Sequence, residues 1–375
     1  MEYRKLDKLG IDVSLLGFGC MRFPLLENGS IDEVEAEKMI DKAMAEGVNY
    51  IDTAYPYHNG DSEPFVGKVL NKYDRSKYYL ATKLPCWEIK SVADAKRIFE
   101  AQLERLGQEY VDFYLLHALN KERFHEMKDL GIVEFCEQLK EEGKIRYFGF
   151  SFHDDYDAFE EIVTDRDWDF CQIQYNYMDT EEQAGDKGYE LTEKLGIPVI
   201  VMEPIKGGSL AVLPDDITAI FKESDSNASV ASWALRFVAN HKNVKTILSG
   251  MSTYEQVLDN LDTFAEFKPL TAEEEVVIEK VAETIKSRVK NGCTGCRYCM
   301  PCPAGVDIPR CFSIWNQHAM YENDGHARWD YFSNFNEKEH ANNCIKCGKC
   351  EKVCPQKIAI REDLARVASD MDHIK

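Results

Sequence analysis

Eight short apolar runs recur along the first two thirds of the chain, and a segment long enough for a helix follows each of them. The runs are LLGFG, VNYIDT, YYLATK, VDFYLLH, IRYFGFS, FCQIQYN, IPVIVME and VKTILSG. Strands that are apolar on both faces need cover on both, which a barrel supplies with side chains inside and helices outside. The pattern therefore predicts an α/β fold, a (β/α)8 TIM barrel. The alternative is an open doubly wound sheet, but such sheets more often have a glycine-rich turn after the first strand, and GFGCMR contains only G-x-G.

Eight of the thirteen cysteines form two tight runs near the end of the chain. The second run has the C-x2-C-x2-C-x3-C-P spacing of bacterial ferredoxins, in which three cysteines bind one cluster and the fourth binds the other. Its members are Cys344, Cys347, Cys350 and Cys354, followed by Pro355. The first run is one residue shorter before its last cysteine. Its members are Cys293, Cys296, Cys299 and Cys302, followed by Pro303.

These runs predict two [4Fe–4S] clusters with crossed ligation. We expect one cluster on Cys293, Cys296, Cys299 and Cys354, and the other on Cys344, Cys347, Cys350 and Cys302. Structural zinc is the alternative, but a zinc site uses cysteines in two pairs and gives no role to a third cysteine at the same spacing. The five remaining cysteines are expected to be small buried hydrophobic residues, and they are Cys20, Cys86, Cys136, Cys171 and Cys311.

The composition changes where the cysteines begin. We assign residues 1–289 to the barrel and residues 290–375 to a second domain, because strand-like alternation disappears after Asn291. The apolar spacing in IPRCFSIWNQHAMY favours a helix, so the second domain is expected to be an α-helical ferredoxin-like domain. Within the barrel, Ser91 and Asp94 predict a capped helix start, and Gly107 predicts the end of that helix.

Charge and hydropathy exclude several classes of partner. The net charge is −21, from 66 acidic and 45 basic residues, and we expect no Lys/Arg-rich stretch to offset it. This balance argues against nucleic acid and against an anionic membrane as partners. The N-terminus lacks the apolar run of a signal peptide, and no apolar stretch is long enough to cross a bilayer, so a cytoplasmic protein is expected. In that compartment, cysteines indicate metal or redox chemistry rather than disulfides.

Ionisable residues follow three consecutive predicted strands. Asp52, Lys83 and His117 each come at the end of an apolar run, and Tyr57 lies just after the first of these runs. Taken singly, each residue could have an ordinary structural role. Asp52 could cap a turn, Lys83 could be solvated, and Tyr57 and His117 could be packed in the core. Because the strand ends of a barrel meet at one rim, their joint placement predicts an active site.

The motifs around these residues resemble those of the aldo-keto reductases over roughly residues 3 to 285. Asp52, Thr53 and Ala54 with Tyr57 match the family signature, and GDSEPFVG is similar to its Gly-x-Ser-Glu motif. The resemblance implies that Tyr57 donates a proton to a carbonyl oxygen and that Lys83 lowers the pKa of Tyr57. It also implies that Asp52 holds Lys83, that His117 orients the carbonyl, and that a nicotinamide supplies hydride.

The resemblance also implies contacts with NAD(P)H. Ser151 and Gln172 match the residues that hold the nicotinamide carboxamide, while Phe152 stands where the family usually has Asn. Gly250 and Gln256 fall where many relatives have Lys and Arg for the 2′-phosphate, so the choice between NADH and NADPH stays open. The other implied contacts are Gly19, Met21, Met202, Pro204, Gly207, Ser209, Leu210 and Asn260.

As a whole, the chain resembles the iron-sulfur branch of the aldo-keto reductases. The expected function is reduction of a carbonyl substrate, or oxidation of the alcohol, with a nicotinamide hydride. One alternative is a ferredoxin-linked reductase, in which the clusters feed single electrons to a flavin or to the substrate, although no motif indicates flavin. The other is a redox sensor or electron carrier without catalysis. A small carbonyl or alcohol is the expected substrate, and a redox partner protein is a further expectation.

Overall fold

The computed structural model describes all 375 residues, which fold into two compact units. Residues 1–207 and 231–272 form the first unit, and residues 208–230 and 273–375 form the second. This division groups the segments 208–230 and 273–289 with the cysteine-rich tail. The domain boundary after residue 289 stays a prediction. None of the helices combines the length and the apolar character that crossing a membrane requires.

Eight parallel strands form a closed barrel in the order β10-β3-β4-β5-β6-β7-β8-β9, which confirms the predicted fold class. Every predicted apolar run supplies one strand. The barrel strands are β3 (Leu16–Gly19), β4 (Tyr50–Asp52), β5 (Tyr79–Leu84), β6 (Val111–Leu119), β7 (Ile145–Phe152), β8 (Phe170–Gln174), β9 (Val199–Met202) and β10 (Val244–Ser249).

An antiparallel hairpin precedes the barrel, formed by β1 (Tyr3–Leu6) and β2 (Ile11–Ser14). Leu6 and Val13 of this hairpin belong to the same buried cluster as Tyr50 and Phe113 from the barrel strands. The ring centroids of Tyr50 and Phe113 are 4.9 Å apart. The N-terminal half of the barrel interior is therefore a packed core, which leaves the opposite rim for chemistry.

Helices connect the strands of the first unit. Its helices are α1 (Glu33–Ala45), α2 (Ser62–Leu70), α3 (Val92–Leu106), α4 (Lys121–Asp129), α5 (Ile132–Glu141), α6 (Tyr156–Thr164), α7 (Gly185–Leu195), α9 (Val230–Ala239) and α10 (Tyr254–Ala265). Helix α3 begins as predicted, because the Ser91 side chain accepts a hydrogen bond from the Asp94 backbone N–H. It ends at Gly107 with φ 61°, a left-handed conformation that glycine adopts without strain.

The second unit contains no strand. Its helices are α8 (Asp215–Ser224), α11 (Ala272–Ser287), α12 (Ile308–Tyr321), α13 (Asp324–Arg328), α14 (Lys349–Val353) and α15 (Ile360–His373). Phe312 and Trp315 of α12 pack with Leu364 and Met371 of α15 in a small apolar core. The five cysteines outside the two runs are fully buried, as predicted.

Candidate functional site

Three of the four predicted rim residues are joined by one side chain, Lys83 on β5. The Lys83 Nζ atom donates to Asp52 Oδ1 at 2.6 Å and to the Thr53 backbone carbonyl at 2.8 Å. It also lies 3.4 Å from the Tyr57 hydroxyl oxygen. Asp52 ends β4, and Tyr57 begins the short 3-10 helix Tyr57–Gly60. The structure therefore brings the ammonium group between a carboxylate and a phenol.

The ion pair between Lys83 and Asp52 is buried. Lys83 is 0% exposed and Asp52 is 2% exposed. Burying an ammonium group is costly unless a carboxylate and further hydrogen bonds compensate for lost water. Burial alone lowers the pKa of Lys83, but the Asp52 charge and the hydrogen bonds outweigh it, so the pKa is raised and the ammonium stays charged. The second carboxylate oxygen of Asp52, Oδ2, has no hydrogen-bond partner.

The pKa of Tyr57 is raised overall, even though Lys83 has the lowering effect that the family resemblance implies. Burial raises the pKa of Tyr57 above its ordinary value, and the nearby Asp52 carboxylate adds to this effect. Lys83 lowers the pKa, as expected, but by less than burial raises it. The net direction is upward. The hydroxyl is therefore protonated at neutral pH, which is the form that a proton donor needs.

A backbone irregularity places His117. The ladder between β6 and β7 shifts register between Leu116 and Leu119, and Ala118 has φ 54°. A bulge of this kind redirects the side chains beside it. The Ala118 backbone N–H that the bulge frees donates to Ser151 Oγ at 2.8 Å. Ser151 thus supports the segment that carries His117.

His117 lies between two aromatic rings at the rim. Its ring centroid is 6.0 Å from that of Tyr57 and 5.1 Å from that of Trp87. Burial, followed by the charge of Lys83, lowers the pKa of His117 well below its usual value, so the imidazole is neutral at neutral pH. Its Nδ1 atom is buried without a hydrogen-bond partner. Trp87, which is 44% exposed, was not predicted from the sequence.

A buried polar network lies behind Lys83, and most of its members were not predicted from the sequence. The side-chain amide of Gln102 donates to the Lys83 carbonyl oxygen at 3.0 Å and to Glu63 Oε1 at 2.9 Å. Thr82 Oγ1 also donates to Glu63 Oε1, at 2.7 Å. The Tyr114 hydroxyl donates to Gln102 Oε1 at 2.8 Å. Only Glu63, within GDSEPFVG, was part of a recognised motif.

In the tail, the cysteines line two cavities. The first is lined by Cys293, Cys296, Cys299 and Cys354, the four predicted ligands of one cluster. The lining of the second includes Cys302, Cys344, Cys347 and Cys350, the four predicted ligands of the other. Cys299 and Ile308 border both cavities. The chain passes from one cavity to the other along α14, because Cys350 in this helix lines the second cavity and Cys354, directly after its end, lines the first.

The thiols are grouped around two cavities rather than around single points. Four thiolates around one zinc ion lie about 4 Å apart, because each Zn–S bond is about 2.3 Å long. No three Cys, His, Asp or Glu side chains in the chain converge closely enough to hold one metal ion. The cysteines instead surround two separate cavities, which a larger inorganic group would fill.

Comparison with known families identifies the barrel. The sequence model of the aldo/keto reductase family matches residues 15–283, which is more than half of the chain. The chain belongs to the aldo/keto reductase family. A second model, described as a 4Fe-4S dicluster domain, matches residues 292–359.

Known relatives match this aldo/keto reductase over the barrel. An aldo-keto reductase of Bacillus halodurans in its holo form is 31% identical with a TM-score of 0.63, covering 75% of this chain and 96% of its own. L-galactose dehydrogenase of Arabidopsis thaliana is 29% identical, covering 78% of this chain and 96% of its own. An aldo-keto reductase of Klebsiella pneumoniae in complex with NADPH is 22% identical with a TM-score of 0.60, and resembles this chain in fold; it covers 75% of this chain and 96% of its own.

In this aldo/keto reductase, Gln172 has a buried acceptor atom that no other group satisfies. Its Nε2 atom lies 3.5 Å from Met202 Sδ, and its Oε1 atom is buried without a partner. Ser151 Oγ accepts from Ala118, so its own hydroxyl hydrogen remains to be donated. A carboxamide offers one N–H donor and one carbonyl acceptor to such a pair. Phe152 is fully buried in the core and offers neither.

The remaining predicted cofactor residues fall in both units. Gly19, Met21, Pro204, Gly207, Gly250, Gln256 and Asn260 lie in the first unit, whereas Ser209 and Leu210 lie in the second. Asn260 donates to Ser249 Oγ at 2.9 Å, and Gln256 accepts from the Ser252 backbone N–H at 2.7 Å. A Cβ atom at Gly250 would lie 2.8 Å from Arg22 Cγ. The Arg22 side chain therefore occupies the space beside Gly250, a contact that the sequence did not predict.

Proposed function

We propose that this aldo/keto reductase reduces a small carbonyl substrate, or oxidises the corresponding alcohol, with a nicotinamide cofactor. The observation that carries the proposal is the buried Lys83 ammonium, which lies 2.6 Å from Asp52 and 3.4 Å from the Tyr57 hydroxyl. A binding module has no need for a charged lysine directed at a phenol. A phenol that donates a proton does need such a lysine, because the phenolate that forms when the proton leaves requires a cation beside it.

Tyr57 gives its proton to the carbonyl oxygen. Its raised pKa keeps the hydroxyl protonated at neutral pH until a substrate oxygen becomes basic. Lys83 then stabilises the negative charge left on Tyr57, and Asp52 keeps Lys83 charged and in position. The neutral His117 donates or accepts a hydrogen bond at the substrate without adding a charge, since its pKa is far below the usual range.

The residues at the rim fit a nicotinamide. The unpartnered Gln172 Oε1 atom and the free hydroxyl hydrogen of Ser151 would hold its carboxamide. Bound there, NAD(P)H supplies the hydride that Tyr57 complements with a proton. Gly250 and Gln256 carry no charge for a 2′-phosphate, while Arg22 stands beside Gly250. Turnover with NADH and with NADPH, measured side by side, decides the preference.

We further propose that the tail binds two [4Fe–4S] clusters with crossed ligation. The two cavities support this assignment, because each is lined by the four cysteines predicted to bind one cluster, with Cys299 bordering the second as well. Iron and sulfide assays on anaerobically purified protein should give about eight of each per chain. Cys354→Ser should lower the content of the cluster bound by the first cysteine run, and Cys302→Ser that of the cluster bound by the second run. The reason is that the last cysteine of each run ligates the cluster of the other run.

A ferredoxin-linked reductase is the second candidate. The observation in its favour is that Cys299 and Ile308 border both cavities, an arrangement that suits electron transfer between adjacent centres. If Cys347→Ser retains carbonyl-dependent oxidation of NAD(P)H, the first proposal holds. Loss of all turnover in this variant would favour electron supply through the clusters, with a flavin or the substrate accepting single electrons.

Replacing Tyr57 tests the proton donor directly. Tyr57→Phe should lower the rate of carbonyl reduction by about 10²–10⁴-fold, the usual contribution of a general acid, while leaving cofactor affinity unchanged. Steady-state rates and nicotinamide fluorescence titration measure the two quantities. Tyr55→Phe, two residues earlier, is the matched control. Unchanged turnover in Tyr57→Phe would remove this residue from the acid role.

A further inference from the structure

A basic segment runs through the second cysteine run, within a strongly acidic chain. Five basic residues and one acidic residue occur between Lys346 and Arg361. The acidic residue, Glu351, pairs with Arg361, whose NH2 atom lies 2.8 Å from Glu351 Oε2. The net charge of the whole chain, −21, gives no sign of this local excess of positive charge. The expectation that no Lys/Arg-rich stretch offsets the negative charge is therefore wrong.

Four lysines of this segment remain free. They are Lys346, Lys349, Lys352 and Lys357, and all are exposed. None forms an ion pair or hydrogen bond with another side chain. On the short helix α14, Cys350 lines the second cavity, whereas Lys349 and Lys352 are exposed on other faces of the helix. Their positive charge is therefore available to a partner.

The same surface exposes the edge of the second cavity. Cys347, one of the cysteines that line it, is exposed. Ile345 is 66% exposed and Val353 is 50% exposed, although large aliphatic side chains are usually buried. Apolar side chains surrounded by charge of one sign are typical of a protein interface. We call Ile345, Lys346, Lys349, Lys352 and Val353 the lysine face.

The first cavity lacks such a face. Cys296 is exposed there as well, and Arg297 follows it in the sequence. Arg297, however, forms two hydrogen bonds with Asp307, at 3.1 and 3.4 Å, which neutralise its charge. Among the four free lysines, Lys357 adjoins the lining of the first cavity, because Gln356 and Ile358 on either side of it belong to that lining. Lys346 and Lys349 adjoin residues that line the second cavity. The free positive charge is therefore greater on the side of the second cavity, and this asymmetry distinguishes an entry point from a general property of cluster loops.

We propose that the lysine face docks a small acidic one-electron carrier protein, which exchanges electrons with the cluster bound by Cys302, Cys344, Cys347 and Cys350. The proposal rests on the cluster assignment given above. Charge complementarity identifies the partner, because lysines without carboxylate partners attract an acidic surface and accelerate its association. In the step, the reduced carrier loses one electron and the oxidised cluster gains it, and no proton or bond is exchanged.

Stopped-flow reduction of the full-length holoprotein tests the proposal. The probe is a small acidic ferredoxin, reduced with dithionite and freed of excess reductant. The triple variant Lys346→Glu, Lys349→Glu, Lys352→Glu should lower the second-order rate constant by about 10-fold or more at low ionic strength. The wild-type rate should fall as salt is added, whereas the variant should lose this dependence.

A matched variant changes the same charge elsewhere. Lys77→Glu, Lys144→Glu, Lys194→Glu replaces three exposed lysines of the first unit and should stay within about twofold of the wild-type rate. A viologen with a single sulfonate group, whose one-electron-reduced form has no net charge, should reduce all three proteins equally. That result shows that the clusters are intact in each variant.

Several results would overturn the proposal. Equal rates with the ferredoxin in the wild type and in the lysine-face variant would do so, as would an equal loss in the matched variant. Tighter binding of the wild type to anionic phospholipid vesicles or to single-stranded DNA than to the ferredoxin would assign the face to another partner. Iron assays separate the two levels: protein without iron overturns the cluster assignment as well, whereas iron-replete protein that is insensitive to the lysines overturns only the docking surface.

Discussion

The barrel rim and the cysteine tail reach their functional geometry by different routes. At the rim, protein groups satisfy one another: Lys83 is fully buried and has three oxygen atoms within hydrogen-bond reach. In the tail, eight cysteines surround two cavities, and Cys296 and Cys347 are exposed. The rim is thus preorganised by the polypeptide, whereas the cysteines of the tail, under the cluster assignment proposed above, would need inorganic groups to complete their surroundings.

Iron removal should produce the largest difference between the two regions. Metal binding to cysteine sites can supply on the order of 10 kcal/mol of folding free energy, as in structural zinc sites. We therefore expect anaerobic chelation to open the cysteine loops while the barrel stays folded. Limited proteolysis with mass spectrometry should detect new cleavage within residues 292–359. Unchanged protection of that segment would show that the tail does not need its metal.

Among single substitutions at the rim, breaking the buried ion pair of Lys83 and Asp52 should cause the largest loss of stability and turnover. Lys83→Met leaves the Asp52 carboxylate buried without a partner, which typically costs about 3–5 kcal/mol of unfolding free energy. Turnover should fall as well, because Tyr57 loses its cation. Urea denaturation and steady-state rates measure the two effects.

The double variant Lys83→Met, Asp52→Leu separates stability from catalysis. It removes both charges, so most of the lost unfolding free energy should return, since an apolar pair can replace a buried ion pair. Turnover should stay as low as in Lys83→Met. Recovery of turnover in the double variant would contradict the role given to Lys83.

Removing the support behind Lys83 should have a smaller effect. Gln102→Leu deletes the donors to Glu63 and to the Lys83 carbonyl oxygen, which should cost about 1–3 kcal/mol of unfolding free energy. Turnover should fall less than in Lys83→Met, with little change in KM. Gln108→Leu, which loses an exposed contact with Asn71 and a hydrogen bond with Tyr78 but does not touch Lys83, is the control. If the two substitutions changed the unfolding free energy and turnover equally, Gln102 would have no particular role in supporting Lys83.

The pH dependence should be the mildest sign of preorganisation. Because the pKa of His117 lies well below 6.5, carbonyl reduction should show no step near that pH. Because Tyr57 must be protonated and its pKa is raised above 10.0, the rate should fall only in strongly alkaline solution. A pH profile of kcat checks both. A step near pH 6.5 that disappears in His117→Ala would show that His117 titrates in the ordinary range.

The fold was predictable because each barrel strand is an uninterrupted apolar run between helical segments. The hairpin of β1 and β2 was not, since its strands are short and largely polar on one side. The two cavities were anticipated by cysteine spacing alone, because ligand number and separation leave few arrangements. The segments that the structure groups with the tail, 208–230 and 273–289, carry no comparable signal.

At the site, strand ends indicated the rim residues but not their surroundings. The bulge at Ala118 is a backbone feature without a characteristic residue, so the link between Ala118 and Ser151 could not be foreseen. Gln102 and Lys83 are distant in sequence, and only the packing of α3 on β5 joins them. The direction of the Tyr57 pKa also required the structure, because burial and a neighbouring charge oppose each other.

Cys299 and Ile308 form a common wall between the two cysteine cavities. Because the two cavities share these residues, negative charge gained on one side would raise the electrostatic potential energy of an electron arriving on the other. Two chemically identical centres would consequently fill in sequence at separate potentials, in the way that adjacent acids lose their protons one after the other.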